Sequence, residues 1–168
     1  MSERPGNAMM TGNDAVGIYI TLERLGIKIW IDGGWGVDSL LEHQTRPHSD
    51  LDIVIEKKDL PAARSWLENG GYRDVSRDDT SPWNFVLGDA EGHEIDFHVI
   101  EIDDNGNGIY GPVERNQMYP AASLCGIGSI EGTSVRCISA EYQIKFHSGY
   151  ELKEKDFKDL AALRCKFG

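Results

Sequence analysis

The chain has 168 residues, of which 40% are hydrophobic and 27% are charged, and its formal net charge is −11. This composition is typical of a soluble globular protein and the length suits a single domain, which argues against disorder and coiled coil. The excess of acidic residues repels phosphate backbones, so we expect no nucleic-acid partner and favour a cationic small molecule.

The spacing of the cysteines and the length of the apolar runs indicate the cellular compartment. Cys125, Cys137 and Cys165 contain no Cys-x-x-Cys pair, so the sequence predicts reduced thiols rather than a disulfide framework or a zinc knuckle. Residues 1–12 lack the apolar core of a signal peptide, and no apolar run is long enough to span a membrane. We therefore expect a cytoplasmic protein with no membrane partner.

The N-terminal pattern predicts a leader, a helix and a strand. Residues 1–12 are polar and without a period, so we expect a flexible leader followed by one domain over residues 13–168. Apolar spacing predicts a first helix at Asn13–Leu25, with Asn13 or Asp14 as its cap. Alternation of β-branched and aromatic residues then predicts a strand at Ile27–Ile31.

Helices continue to alternate with strands along the rest of the chain. The further predicted elements are a helix at about Gly34–Glu42, a strand at Asp50–Glu56, a helix from Asp59 to Gly70, a strand at Tyr72–Val75, a hairpin of Asn84–Leu87 and His93–Ile100, a turn-rich loop at Asp103–Gly111, a hairpin around Glu131-Gly132 within Ser123–Ile138, and helices at Ser139–Ser148 and about Leu152–Lys166. This alternation predicts an α+β fold, in which helices pack against a mixed, mostly antiparallel sheet.

Two aspartates share one face of a predicted strand. Period two places Leu51, Ile53 and Ile55 on one side and Asp50 and Asp52 on the other. Their α-carbons are about 6.5 Å apart, so both carboxylates can converge on one hard cation. Because such a pair is more often a solvated face or a loop cap, it does not identify a site by itself.

Two further features point to phosphate chemistry. Gly33 and Gly34 lie between a strand and a helix, where absent side chains let backbone N–H groups approach phosphate oxygens. Asp96 is on the polar face of the strand His93–Ile100, which can lie beside the Asp50 strand. Three crowded carboxylates repel one another unless a divalent ion such as Mg²⁺ lies among them. This combination suits phosphoryl or nucleotidyl transfer.

Five longer runs carry a family resemblance: Ile29–Asp38, Thr45–Ile53, Glu94–His98, Ile138–Glu141 and Phe146–Tyr150. They resemble the small antibiotic nucleotidyltransferases of the DNA polymerase β-like superfamily, and most closely the short, single-domain lincosamide nucleotidyltransferases. The resemblance covers about Asn13 to the C terminus and implies the polymerase β-like fold. It also implies transfer of AMP or another NMP, from ATP or another nucleoside triphosphate, to a hydroxyl of lincomycin or clindamycin with release of pyrophosphate.

The resemblance implies roles for the acidic and glycine residues. The tripeptide Gly33-Gly34-Trp35 would hold the triphosphate, and Asp50 and Asp52 would bind Mg²⁺. Asp96 would act as the general base or share a metal ion. The sequence leaves both roles for Asp96 open.

Other residues have both a functional and a structural interpretation, and the structural one is the more common for His48, His147 and Tyr150. Arg46 and His48 can neutralise a phosphate oxygen, but Arg46 is equally typical of an exposed loop, and His48 is more typical of a structural hydrogen bond. Lys145 can contact the β- or γ-phosphate or remain solvated. His147 and Tyr150 can line a pocket or pack in the core.

Two other functions stay open. The glycine and Asp-x-Asp motifs also resemble aminoglycoside nucleotidyltransferases, although the short chain and the run Phe146–Tyr150 favour a lincosamide. The second alternative is a nucleotide-binding, antitoxin-like module without drug transfer. Whether the protein forms a homodimer is left open as well.

Overall fold

The computed structural model describes residues 8–146 and 154–167. Across both ranges, the helices lack the combination of length and apolar character that a membrane-spanning segment requires. The helices are α1 (Gly12–Arg24), α2 (Gly33–Leu41), α3 (Leu60–Asn69), α4 (Ala140–Phe146) and α5 (Glu154–Phe167). The strands are β1 (Ile29–Asp32), β2 (Asp50–Glu56), β3 (Arg73–Val75), β4 (Asn84–Gly88), β5 (Glu94–Ile102), β6 (Gly108–Tyr110), β7 (Met118–Tyr119), β8 (Gly126–Ile130) and β9 (Thr133–Cys137).

The strands of the described residues form one mixed sheet. Its order is β3-β4-β5-β2-β1-β9-β8, with β6 beside β5 and β7 beside β6. The pairs β2–β5 and β1–β9 are parallel, and the other pairs are antiparallel. The predicted α+β fold with a mixed, mostly antiparallel sheet is therefore confirmed.

The main core lies against one face of the central strands. Leu51, Ile53 and Ile55 of β2 are fully buried, as are Ile95 and Phe97 of β5. They join one cluster with the apolar residues of α1 and α2. Because strand side chains alternate, this burial directs the intervening aspartates of β2 and β5 to the other face of the sheet.

Helix α1 begins one residue earlier than the sequence predicts, and its cap is Thr11 rather than Asn13 or Asp14. Thr11 Oγ1 accepts a 3.1 Å hydrogen bond from the backbone N–H of Asp14, and Asp14 Oδ2 accepts a 3.0 Å bond from the backbone N–H of Thr11. This capping box satisfies two backbone donors at once, which fixes the start of the helix.

The predicted flexible leader extends too far along the chain. Met10 is only 1% exposed and belongs to the main core. Its backbone N–H donates to the carbonyl of His48, and its carbonyl accepts from Trp35 Nε1 at 2.9 Å. The residues from Ala8 onward are therefore held by the domain, while residues 1–7 lie outside the described part of the chain.

Several element ends differ slightly from the sequence prediction. Strand β1 starts at Ile29, because the N–H of Ile27 still bonds to Leu22 at the end of α1. Helix α2 ends before Glu42, whose φ of 64° is left-handed. The last two predicted helices are present, although residues 147–153, with His147 and Tyr150, lie outside the described residues.

The loop predicted at Asp103–Gly111 contains a strand. Asp103 Oδ1 accepts hydrogen bonds from the backbone N–H groups of Asn105 and Asn107, which closes a tight turn. The turn brings β6 back along the end of β5, where Ile100 pairs with Tyr110. Sequence reasoning identified the turn residues but missed the strand that follows them.

Candidate active site

Three aspartates occupy one row across the centre of the sheet. Asp52 pairs with Asp96 on parallel β5 and with Asp32 on antiparallel β1. Residues paired in this way project from the same face. The prediction that the Asp96 strand lies beside the Asp50 strand is confirmed, and Asp32 is an acidic neighbour that sequence reasoning left without a role.

A cavity of about 1110 Å³ opens above this row. Its lining residues come from the sheet, the glycine turn, the loop before β2, the segment after β6, and helices α4 and α5. The predicted site residues that line it are Gly33, Gly34, Arg46, His48, Asp50, Asp52 and Asp96. The side chains of Trp35 and Lys145 are not part of this lining.

The two glycines make room for functional side chains. Gly33 has a φ of +59°, and a Cβ at this position would overlap Asp52 Oδ2. A Cβ on Gly34 would lie 2.5 Å from His48 Nδ1 and 2.8 Å from Arg46 Nη2. A side chain at either position would therefore displace groups of the cavity.

The glycine turn leads into the first helical turn of α2, where backbone N–H groups are available as hydrogen-bond donors. Asp32 caps the helix and accepts a 2.8 Å bond from Gly33 N–H. The N–H groups of Gly34 and Trp35 have no acceptor within the helix, because first-turn donors precede any helical carbonyl in reach. They and the positive end of the helix dipole favour an anion.

The side chain of Trp35 is in the core instead of the cavity. It is 3% exposed, and its Nε1 donates to Met10. Its ring also packs on His48, with centroids 4.8 Å apart. A contribution of Trp35 to phosphate binding is therefore limited to its backbone N–H.

Arg46 reaches from the loop before β2 to helix α5. Its Nη2 lies 3.3 Å from Asp159 Oδ2. Its Nε is buried, and no atom of the described residues accepts a hydrogen bond from it. Because a buried donor without an acceptor is unfavourable, Arg46 is suited to an additional anionic partner next to Gly34.

His48 makes a structural hydrogen bond and also lines the cavity. Its ring is 3% exposed, and Nε2 forms a 2.6 Å hydrogen bond with Asp38 Oδ2. Burial would raise the pKa of Asp38, but the bonds from His48 and Thr45 outweigh this effect and lower it. The pair anchors the loop before β2 to α2, while Nδ1 of His48 faces Gly34.

Lys145 lies away from the cavity. Its Nζ pairs with Glu141 Oε1 at 2.9 Å, one turn earlier on α4, and contacts the Tyr142 ring. Both partners of the ion pair are more than half exposed. The helical spacing of Glu141 and Lys145 explains this arrangement.

Burial and mutual repulsion shift the titration of the cavity's carboxyl groups. Burial raises the pKa of Asp50 to about 6, and the charge of Asp52 adds to the shift. Burial likewise raises the pKa of Asp96 to about 7, although the nearby His98 opposes the change. Both carboxyls therefore titrate close to neutral pH.

His98 lies between the two central carboxylates, two residues after Asp96 on β5. Its Nε2 is 3.8 Å from Asp52 Oδ1 and 3.9 Å from Asp96 Oδ1. Burial alone would lower the pKa of His98, but Asp52 and the surrounding acidic charge outweigh burial and raise it to about 9. Period-two alternation placed His98 on the same face as Asp96, and this signal was available from sequence.

Asp32 connects the glycine turn to distant parts of the chain. Its Oδ1 accepts a 2.9 Å bond from Nε2 of Gln143 on α4, and its Oδ2 accepts a 3.3 Å bond from the Tyr119 hydroxyl. Gln143 is 1% exposed and lies against Gly36, where a Cβ would be 2.9 Å from Nε2. These contacts hold the start of α2 in place.

The acidic residues fit a divalent cation. The donor atoms of Asp52, Asp96 and His98 lie within 4.8 Å of one another. Burial and the neighbouring carboxylates raise the pKa values of Asp50 and Asp96, so their negative charges are unfavourable in the cavity. A dication would compensate these charges, and carboxylate oxygens are ligands that Mg²⁺ accepts.

The sequence model of the aminoglycoside-2''-adenylyltransferase family matches residues 15–163. The chain belongs to this family. A lincosamide resistance protein from Staphylococcus haemolyticus is 30% identical over 158 residues, which are 94% of this chain and 97% of that protein. These matches confirm the antibiotic nucleotidyltransferase resemblance.

Solved structures of antibiotic adenylyltransferases have the same fold. The lincomycin-bound lincosamide adenylyltransferase LnuA superposes with a TM-score of 0.76 at 27% identity, covering 94% of this chain and 98% of its own. ANT(2'')-Ia in complex with adenylyl-2''-tobramycin gives a TM-score of 0.74 at 19% identity, covering 94% and 89%. The nucleotidyltransferase fold expected for this family member is therefore confirmed.

Proposed function

We propose that this protein transfers AMP from ATP to a hydroxyl of a lincosamide such as lincomycin or clindamycin and releases pyrophosphate. The observation that carries the proposal is the pairing of Asp52 with Asp96 in a cavity that also contains the glycine turn at the start of α2. One cavity thus holds a candidate base and donors for a triphosphate. Similarity to the Staphylococcus haemolyticus protein and to LnuA supports the choice of a lincosamide.

The lining of the cavity supports an acceptor of mixed character. Met118, Tyr119 and Phe146 supply apolar surface, and the rings of Tyr119 and Phe146 meet edge to face at 5.5 Å. Asp156 and Asp159 of α5 supply acidic groups. A lincosamide has one amine and an apolar tail, so it matches this combination.

The triphosphate would bind at the glycine turn. The N–H groups of Gly34 and Trp35 and the start of α2 would hold phosphate oxygens. Arg46 would donate from its buried Nε, which lacks an acceptor among the described residues. His48 would bring Nδ1 to the same place, since this atom lies against Gly34.

Asp96 would accept the proton of the attacking hydroxyl. The hydroxyl oxygen forms a bond to the α-phosphorus, the bond from that phosphorus to the pyrophosphate oxygen breaks, and the proton moves to the Asp96 carboxylate. Burial, the largest cause of the raised pKa of Asp96, makes this carboxylate a stronger base than an ordinary aspartate. Asp96 lies beside Asp52, which would hold Mg²⁺. A hydroxyl that approaches this ion would therefore also lie close to Asp96.

Asp50 and Asp52 would hold Mg²⁺. When bound, the ion would neutralise triphosphate charge and stabilise the charge that develops during displacement. The use of ATP and the three free cysteines also support a cytoplasmic location.

An aminoglycoside is the second candidate acceptor. The family model and the acidic residues Asp156 and Asp159, which are only 6% and 5% exposed, favour a cationic acceptor. An aminoglycoside carries several amines and would leave the apolar side of the cavity without a matching group.

Mass spectrometry tests both candidates. The protein is incubated with ATP, Mg²⁺ and, separately, lincomycin, clindamycin and tobramycin, and pyrophosphate is measured in parallel. We expect one adenylyl group on each lincosamide, with an equal amount of pyrophosphate. Modification of tobramycin alone would identify the second candidate, and nucleotide binding without any transfer would indicate a binding module.

A further inference from the structure

We propose that His98 is itself a metal ligand, which forms with Asp52 and Asp96 a mixed nitrogen and oxygen site that binds Mn²⁺ more tightly than Mg²⁺. The proposed function requires a metal ion in this cavity, so the assignment of His98 rests on that function. Asp52 would be shared between this site and the Mg²⁺ position at Asp50.

The distances among the three side chains suit one ion. Two ligand atoms that are each about 2.1 Å from an ion lie at most about 4.2 Å apart. Nε2 of His98 is 3.8 Å from Asp52 Oδ1 and 3.9 Å from Asp96 Oδ1. The nitrogen thus faces both carboxylates at ligand spacing, and the second oxygen of Asp96 remains for the proton of the acceptor.

Tyr110 holds the other nitrogen of the ring. His98 Nδ1 and the Tyr110 hydroxyl form a 3.1 Å hydrogen bond. A histidine that binds a metal through one nitrogen usually has the other nitrogen fixed by a hydrogen bond. The Tyr110 ring is braced in turn by Tyr119, with centroids 5.7 Å apart. This arrangement directs Nε2 of His98 toward Asp52 and Asp96.

The metal preference follows from the donor atoms. Mg²⁺ favours oxygen ligands and retains water, whereas imidazole nitrogen adds affinity for first-row transition ions. His98 binds an ion through a neutral imidazole nitrogen, so affinity for the ion depends on pH, as it does at other histidine ligands.

Electron spin resonance of the full-length protein with Mn²⁺ tests the ligand directly. Pulsed measurements detect the coupling of a bound nitrogen to Mn²⁺ and need no turnover. We expect a histidine nitrogen coupling in the wild-type protein that is lost in His98→Gln. The variant should bind Mn²⁺ about 10-fold or more weakly, with a smaller change for Mg²⁺.

Three other variants locate the source of the signal. His43→Gln is the matched control, because His43 is exposed and lies outside the cavity. His93→Gln tests the separate group of Asp89, Glu91 and His93. Tyr110→Phe should retain the nitrogen coupling but weaken Mn²⁺ binding, since it removes only the support of Nδ1.

The outcomes separate this assignment from the proposed function. Wild-type protein that binds no Mn²⁺, shows no nitrogen coupling, or keeps the coupling in His98→Gln would overturn the ligand role of His98. Adenylation of lincomycin is measured on the same samples. Drug transfer without nitrogen coupling removes the His98 assignment alone, whereas nitrogen coupling without drug transfer removes the proposed function alone.

Discussion

Asp38 and His48 form a 2.6 Å hydrogen bond in which both side chains are at least 97% buried, and it joins helix α2 to the loop that leads into β2. The Asp38 carboxylate also accepts from the N–H and hydroxyl of Thr45. One buried group therefore fixes two points of the loop that carries Arg46. This anchor therefore holds the chain just before it enters β2 at Asp50.

We expect Asp38→Asn to lower the free energy of unfolding by about 2 to 4 kcal/mol, because it breaks a buried charged network. Urea denaturation measures the loss. The matched control is Glu101→Gln, which removes an exposed ion pair with Lys57 and should change stability by about 0.5 kcal/mol or less. Equal losses in the two variants would contradict the anchoring role of Asp38.

Gly33→Ala should reduce adenylation about 100-fold or more, because the new methyl group overlaps Asp52 and displaces it. The positive φ adds a stability cost of about 1 to 3 kcal/mol. Gly17→Ala is the control, since nothing lies within 4 Å of its Cβ position on α1. It should stabilise the protein by about 0.5 to 1 kcal/mol and leave activity unchanged. Both effects are measured by urea denaturation and by drug adenylation, and full activity in Gly33→Ala would rule out the close fit to Asp52.

Asp50→Asn and Asp52→Asn should each lower turnover about 1000-fold or more while the fold is retained. Asp96→Asn should also lose turnover but still bind ATP with Mg²⁺, because the Mg²⁺ of the nucleotide is assigned to Asp50 and Asp52, whereas Asp96 takes the proton. Calorimetry with ATP and Mg²⁺ distinguishes the roles. Loss of nucleotide binding in Asp96→Asn would instead make this residue a ligand of the nucleotide's metal ion.

The metal-free protein should become less stable as the pH rises from 5.5 to 8. The pKa values of Asp50 and Asp96, about 6 and 7, lie above the value of about 3.9 in an unfolded chain. The folded state therefore binds these protons more tightly and loses that advantage as they dissociate. His98 acts in the same direction, since its raised pKa means that stability is lost as the pH rises toward about 9.

Thermal unfolding with EDTA or Mg²⁺ checks this dependence. Mg²⁺ should raise the melting temperature more at pH 8 than at pH 5.5, because protons compete for the same carboxylates at the lower pH. Asp50→Asn should reduce the difference. A Mg²⁺ effect that is larger at pH 5.5 would be inconsistent with carboxylate ligation.

The sequence predicted the central strands well because their alternation is regular. Asp50, Asp52 and Asp96 occur between buried aliphatic residues, so their common face followed from period two. Alternation does not determine which strands pair or in which direction. The parallel register of Asp52 with Asp96 therefore came from the structure. The face that carries the aspartates was thus predictable, and the pairing of these residues across strands was not.

The positions of other side chains in and around the cavity depend on long-range contacts, which cannot be deduced from spacing in the sequence. Asp159 meets Arg46 across 113 positions of the chain, and Trp35 is taken into the core by a bond to Met10. The run that suggested a phosphate role for Trp35 gave no sign of the apolar neighbours that surround it. Likewise, Lys145 has a local partner in Glu141, and the orientation of α4 decides which side of the helix faces the cavity.

Asp32, which caps helix α2 at the glycine turn, is held by residues that are synthesised late. Tyr119 and Gln143 reach it from 87 and 111 positions further along the chain. A nascent polypeptide that has emerged only through β2 already contains the glycine turn and both aspartates of that strand, yet neither brace for the turn has been translated. Contacts of such long range form slowly in folding. The N-terminal half therefore carries the glycine turn, Asp50 and Asp52, and residues of the C-terminal half hold that turn in place.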